Sequence, residues 1–134
     1  MPEQEPQQVP PHVDVYAMAG GERAFFDLIE AFYAKVEDDE LLRPLYPDDL
    51  EPGKRHLALF FAQYWGGPPR YNDERGHPRL RRRHAPFQIT HAAALRWAEL
   101  MAASVLEQSW PQEAEQAMLH YIARFTPSMI NAPG

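Results

Sequence analysis

The sequence contains no cysteine. This absence excludes disulfide bonds, thiolate metal sites and cysteine nucleophiles, and it is compatible with a reducing compartment, so we expect a cytoplasmic protein. Positive charge is also in deficit, because 13 Lys and Arg residues face 19 Asp and Glu residues, which gives a formal net charge of −6. Dedicated nucleic-acid binders are usually basic, so this balance argues against that class of protein.

Long apolar runs are missing as well. The longest near-apolar stretch covers residues 92–106 and is interrupted by Arg96 and Glu99. It is too short to cross a bilayer, so we expect no membrane segment. Residues 1–13 carry four prolines among Glu and Gln and no apolar run of the kind that signal peptides contain. At a length of 134 residues, the chain is expected to form one domain, 14–134, preceded by a flexible proline-rich tail, 1–13.

What the sequence does contain is helical periodicity. A first helix is indicated by apolar residues at three- and four-residue steps, and Gly20-Gly21 mark the break before it. Further helices are expected from Pro52, from an N-cap at Thr90, and from a capping box at residues 109–112 with Ser109 as the cap. The last of these is expected to run to about residue 129, with Pro127 kinking or shortening it. With no alternating strand pattern, the fold class is predicted to be all-α.

The segments between these helices are predicted with less regular structure. The acidic run at residues 37–40 suits the start of a short helix that Pro47 ends, because carboxylates favour a helix N-terminus. Residues 66–78 are rich in Gly, Pro and Asn and are predicted to form a loop. Residues 79–84 could add one and a half helical turns before Pro86.

The segment Arg-Leu-Arg-Arg-Arg-His at residues 79–84 offers the strongest chemical signal. Leu80 and His84 share one helix face, and the arginines point elsewhere. Three interpretations stay open at this point: a solvated basic helix with a packed histidine, a basic patch for nucleic acid, or a haem pocket with one imidazole ligand and cations near the propionates. Asp73 and Glu74 weaken the interpretation as a nucleic-acid patch, because their negative charges lie close to the arginines in the sequence. Zinc-hydrolase, serine-nucleophile, P-loop and dinucleotide-binding motifs are absent.

Several strings then occur in one order: Phe-Tyr at 32–33, Leu-Tyr-Pro at 45–47, Gln-Tyr-Trp-Gly-Gly-Pro at 63–68, Arg-Gly-His-Pro-Arg-Leu at 75–80, Arg-His-Ala-Pro-Phe at 83–87, and Trp97. From about residue 14 to the C-terminus, the sequence resembles the group II truncated haemoglobins. The resemblance implies a shortened globin fold in which two helix pairs cross two-over-two around haem b.

The resemblance also assigns residues. It makes His84 the proximal iron ligand and places Tyr33, Tyr46 and Trp97 on the distal side. The usual distal-histidine position falls on Gly53. The implied haem-pocket residues, which include Arg83 and Tyr71 as expected propionate partners, are Phe32, Leu57, Phe60, Phe61, Tyr71, His77, Leu80, Arg83, Phe87 and Met101. His56 lies nearer the expected haem edge.

The distal residue types suit ligand binding. A diatomic ligand such as dioxygen draws electron density from haem iron, so hydrogen bonds to it are charge-assisted and worth about 1.5–3 kcal/mol. Trp97 can only donate, whereas Tyr33 and Tyr46 can donate or accept. Ordinary aromatic packing explains the same three residues without a ligand.

The function implied by the resemblance is binding of dioxygen and other diatomic ligands, with uses that range from peroxide or nitric oxide chemistry to carriage, storage or sensing. The implied partners are a reductase and at most a second copy of the chain, so a monomer or homodimer is expected. The competing hypothesis from a different class is a small helical interaction module that binds no haem.

Overall fold

The computed structural model describes residues 14–84 and 87–133. The tail predicted at residues 1–13 therefore lies outside the described residues, as do Ala85, Pro86 and the side chain of Arg81. All regular structure in the described part is helical, which confirms the predicted fold class. The α-helices are α1 (Val15–Ala19), α2 (Glu22–Glu37), α3 (Glu51–Tyr64), α4 (Arg70–Arg75), α5 (Leu80–His84), α6 (His91–Leu106) and α7 (Gln112–Phe125), with 3-10 turns at Arg43–Leu45 and Thr126–Met129.

The two longest helices, α2 and α6, begin where the sequence predicts. Gly20 and Gly21 have φ angles of 115° and 86°, which glycine adopts at little cost, and they separate α1 from α2. Thr90 caps α6, because its hydroxyl oxygen accepts a hydrogen bond from the Ala93 N–H at 3.0 Å. Such a cap satisfies a backbone donor that the helix itself leaves unpaired.

The helices pack as two pairs. Helix α2 packs against α3 and α6, and α6 packs against α7. The apolar stripe of α2 is buried between its neighbours, and burying each large apolar side chain contributes roughly 1.5–3 kcal/mol. The buried members of this stripe are Phe25, Leu28, Ile29, Phe32, Tyr33 and Val36.

The loop predicted at residues 66–78 is wrong in part, because Arg70–Arg75 forms helix α4. Side chains from other helices stabilise this short element. The Gln63 side chain accepts a hydrogen bond from the Asn72 N–H at 3.0 Å and donates to the Asn72 side chain at 3.1 Å. Arg70 donates to a Glu22 carboxylate oxygen at 2.6 Å. These long-range contacts leave no local pattern in the sequence.

The predicted capping box at residues 109–112 is also wrong. Ser109 has a φ of 59°, in the left-handed region, and the N-cap of α7 is Pro111, with no side-chain cap. Trp110 is buried, with its ring centroid 5.3 Å from that of Phe25. The chain turns at Ser109 to bring this indole into the core, and α7 begins only after the turn.

The acidic run at residues 37–40 does not start a helix. Glu37 is the last residue of α2, and Asp39 instead stabilises the turn that follows by accepting a hydrogen bond from the Leu42 N–H at 2.9 Å. Asp39 also pairs with Arg96 of α6 at 3.1 Å. Only the 3-10 turn at Arg43–Leu45 follows before Pro47.

Candidate haem site

Three polar aromatic side chains meet between α2, α6 and the segment after the first 3-10 turn. Tyr33 lies on α2, Trp97 on α6 and Tyr46 directly after Leu45. The rings of Tyr33 and Tyr46 pack edge to face with centroids 5.7 Å apart. The centroid of the Phe32 ring lies 5.5 Å from that of Tyr33 and 5.3 Å from that of Trp97. We call Tyr33, Tyr46 and Trp97 the distal cluster.

Burial raises the pKa of both phenols of the distal cluster. It raises the pKa of Tyr33 to about 12. Burial also raises the pKa of Tyr46 far above its usual value, with a further increase from nearby Tyr33, and the N–H of the nearby Trp97 indole opposes this in part. A phenol with its ordinary pKa of about 10 is already protonated at neutral pH, and these shifts extend that range, so both tyrosines can act as donors.

The Tyr33 hydroxyl lies directly against the backbone of α3. A Cβ atom added at Gly53 would lie 2.8 Å from the Tyr33 oxygen, which is closer than real Cβ contacts come. The glycine at the expected distal-histidine position thus has a steric role in this structure. It leaves the space that the Tyr33 hydroxyl occupies.

His84 is the last residue of α5 and is half-buried. Its Nδ1 lies 2.6 Å from the Leu80 carbonyl oxygen. A carbonyl oxygen only accepts, so Nδ1 carries the proton and Nε2 of the neutral ring keeps its lone pair. This is the arrangement found in metal-binding histidines, whose second ring nitrogen donates to a carbonyl or carboxylate.

Comparisons with known proteins identify the family. The model of the bacterial-like globin family matches residues 14–131. A group 2 truncated haemoglobin of Bacillus subtilis is 44% identical over 81 residues, which are 60% of this chain and 61% of that protein. The match thus spans less than two thirds of that relative's length.

Two solved structures give the same result. The haemoglobin of the thermophilic phototrophic bacterium Chloroflexus aurantiacus is 46% identical and superposes with a TM-score of 0.86, covering 88% of this chain and 98% of that one. The truncated oxygen-avid haemoglobin of Bacillus subtilis is 35% identical with a TM-score of 0.83, covering 88% and 99%. The chain belongs to the group II truncated haemoglobins.

Membership of this family confirms the predicted two-over-two globin fold and implies binding of haem and of diatomic ligands such as oxygen. The residues of this globin fit a haem, because one imidazole presents an Nε2 that bonds to none of the described residues, and phenol and indole donors lie together on other elements. Leu57 on α3 and Leu80 on α5 are partly buried and pack against the apolar core. In the described residues, no helix is long and apolar enough to span a membrane.

The other predicted pocket residues fall into two groups. Phe32, Phe60, Phe61 and Met101 are buried in the core. Phe87 is 51% exposed, and His77 is exposed, with its Nδ1 accepting a hydrogen bond from the Arg79 N–H at 3.2 Å. Their contact with haem stays a prediction.

The two expected propionate partners lie together. Tyr71 is buried and packs edge to face on Phe60 at 5.6 Å. The Arg83 guanidinium lies over the Tyr71 ring at 5.9 Å from its centroid, and its Nε donates to the Pro78 carbonyl at 2.6 Å. In this structure Arg83 therefore organises the loop before α5.

His56, whose role the sequence left open, pairs with Arg75. The arginine Nη1 lies 2.8 Å from Nδ1 of His56, so the ring accepts this hydrogen bond in its neutral form. Burial and the positive charge of Arg75 lower the pKa of His56. The pair links α3 to the end of α4.

Sequence reasoning missed Arg43. Its guanidinium donates to the carbonyls of Pro47 at 3.0 Å and Asp48 at 3.2 Å, with a longer contact to the carbonyl of Tyr46 at 3.4 Å. Arg43 therefore stabilises the segment that carries a distal tyrosine. An arginine three residues before a tyrosine is too common a spacing to predict this contact.

Proposed function

We propose that this globin holds haem b through Nε2 of His84 and binds dioxygen tightly through donors of the distal cluster. The observation that carries the proposal is the convergence of three such donors from separate elements. The oxygen avidity stated for the Bacillus subtilis haemoglobin supports tight binding here.

The distal cluster can act as a connected set of donors. The Trp97 indole lies close enough to the Tyr46 hydroxyl to lower the pKa of that phenol, and its single N–H can donate either to Tyr46 or to a bound ligand. Tyr33 lies beside Tyr46 and can share a ligand with it. A charge-assisted bond to a diatomic ligand is worth about 1.5–3 kcal/mol, which slows ligand escape roughly tenfold to a hundredfold.

On the proximal side, His84 would supply the imidazole that binds the iron. The Leu80 carbonyl fixes the tautomer of His84 and makes the imidazole a stronger base. Haem, when bound, supplies the iron that takes up the diatomic ligand reversibly. The protein contributes the imidazole on one side and neutral donors on the other.

Slow release makes a poor bulk carrier. Tight binding suits chemistry on the ligand, such as nitric oxide dioxygenation or peroxide reduction, and such chemistry requires a reductase as partner. A cytoplasmic monomer or homodimer completes the proposal, with the tail at residues 1–13 separate from the globin domain.

Visible spectra of the ferric, ferrous and oxygenated forms test this proposal. The wild-type protein is expected to take up haemin and to form a stable oxygenated species, and His84→Ala is expected to lose the proximal imidazole spectrum. His120→Ala is the matched control, because His120 is an exposed histidine on α7. A wild-type protein that takes up no haemin, or a His84→Ala spectrum identical to wild type, would contradict the proposal.

A further inference from the structure

Helix α5 is too short to hold its own position. It has five residues, and isolated helices shorter than about 12–15 residues are marginal in water. Leu80 is only partly buried where it meets the core. The orientation of His84 therefore depends on contacts from outside α5, which packs against the last 3-10 turn and is held by hydrogen bonds at its two ends.

The preceding loop is secured by Arg83. Besides its bond to Pro78, the guanidinium Nη2 donates to the carbonyls of Arg75 at 2.8 Å and His77 at 3.3 Å. These contacts fix the chain that enters α5. They do not reach the residues that leave it.

The exit from α5 is secured by Asn131, which lies beyond the last 3-10 turn. Its side-chain Nδ2 donates to the His84 carbonyl at 3.3 Å. Its Oδ1 accepts from the Ile89 N–H at 2.8 Å, and its backbone N–H donates to the Ile89 carbonyl at 2.9 Å. One asparagine thus binds the last residue of α5 and, at Ile89, the segment that leads into α6. The His84 carbonyl also accepts from the Phe87 N–H at 3.0 Å.

We propose that Asn131 is a positioning residue for His84, an inference that rests on the proposed proximal role of His84. The imidazole is tied through Nδ1 to the Leu80 carbonyl, so ring and helix move together. Holding the His84 carbonyl from the C-terminal segment fixes the end of α5 and, with it, the direction of Nε2. The hydrogen bonds of Asn131, which we call the tether, thus set the orientation of the imidazole from outside the haem pocket.

Two substitutions separate the two side-chain bonds of this tether. Asn131→Asp keeps an oxygen for the Ile89 N–H but replaces the donor to His84 with a carboxylate oxygen. Asn131→Ala removes both bonds. Resonance Raman of the ferrous holoprotein is expected to show a shifted or broadened iron–histidine stretching band in both variants. Amide exchange at Ile89 is expected to be roughly five- to tenfold faster in Asn131→Ala only.

Ser128→Ala is the matched control. It removes the 2.6 Å bond from the Ser128 hydroxyl to the Phe125 carbonyl in the same C-terminal segment, and it is expected to leave the iron–histidine band at its wild-type position. Wild-type bands in both Asn131 variants, or an equal shift in Ser128→Ala, would overturn the inference. If the iron–histidine band is lost in His84→Ala but unchanged in both Asn131 variants, the positioning role of Asn131 is rejected and the proposed function stands. If the band is unchanged in His84→Ala, the proposed function itself is rejected.

Discussion

The two sides of the proposed haem site are supported in different ways. On the distal side, Tyr33 and Trp97 lie on 16-residue helices and pack through their rings against Phe32. On the proximal side, His84 lies on a five-residue helix that exposed or half-buried polar groups connect to neighbouring loops. Ring packing fixes one side, and hydrogen bonds to the backbone fix the other.

This difference has energetic consequences. Truncating a buried aromatic residue to alanine typically costs about 3–5 kcal/mol of unfolding free energy, whereas losing one exposed hydrogen bond costs about 0.5–1.5 kcal/mol. Distal geometry is therefore coupled to the stability of the whole fold. Proximal geometry can be altered by single polar substitutions while the fold stays intact.

The largest expected effect comes from Trp97→Phe, which removes the indole donor and keeps an aromatic ring beside Phe32. We expect dioxygen to dissociate roughly tenfold to a hundredfold faster, because a charge-assisted bond is lost. Stopped-flow measurement of the oxygenated protein gives the rate. Trp110→Phe is the control, since Trp110 is buried against Phe25 instead. A rate within about twofold of wild type for Trp97→Phe would mean that ring packing, and not donation, is the role of Trp97.

A smaller effect is expected from Gly53→Ala. The new Cβ atom would lie 2.8 Å from the Tyr33 hydroxyl oxygen, so the hydroxyl must move from its present place against α3. We expect dioxygen to dissociate about threefold to tenfold faster, because a charge-assisted bond is weakened by about 1 kcal/mol.

A double-mutant cycle with Tyr33→Phe shows whether this effect acts through the hydroxyl. In the Tyr33→Phe background no hydroxyl meets the Cβ atom, so Gly53→Ala should leave the dissociation rate unchanged. An equal effect in both backgrounds would show that position 53 controls ligand entry or exit by itself, and that distal geometry does not depend on this contact.

The same difference explains what the sequence could predict. Helices α2 and α6 were predictable because apolar periodicity, a glycine break and a threonine cap all act within one helix. Helix α4 was missed because Gln63 stabilises it from another element. The family resemblance supplied His84, but nothing local in the sequence indicates that Asn131, 47 residues later, contacts its carbonyl.

The smallest expected effect comes from Arg43→Met. This substitution tests the part of the distal side that, like the proximal side, is held by hydrogen bonds to backbone carbonyls. Tyr46 follows a 3-10 turn and depends on the bonds that Arg43 donates to the carbonyls of Pro47 and Asp48. Without them we expect Tyr46 to be less well held and dioxygen to dissociate about twofold to fivefold faster. Arg23→Met is the control, because Arg23 is exposed on α2 and pairs with Asp27.

An Arg43→Met effect as large as that of Trp97→Phe would remove the contrast between the two sides. It would show that polar contacts to a loop, and not ring packing, govern ligand retention on the distal side too. The smaller effect expected here follows from the edge-to-face packing of Tyr46 on Tyr33 and from the nearby Trp97 indole, which remain in place when the loop is loosened.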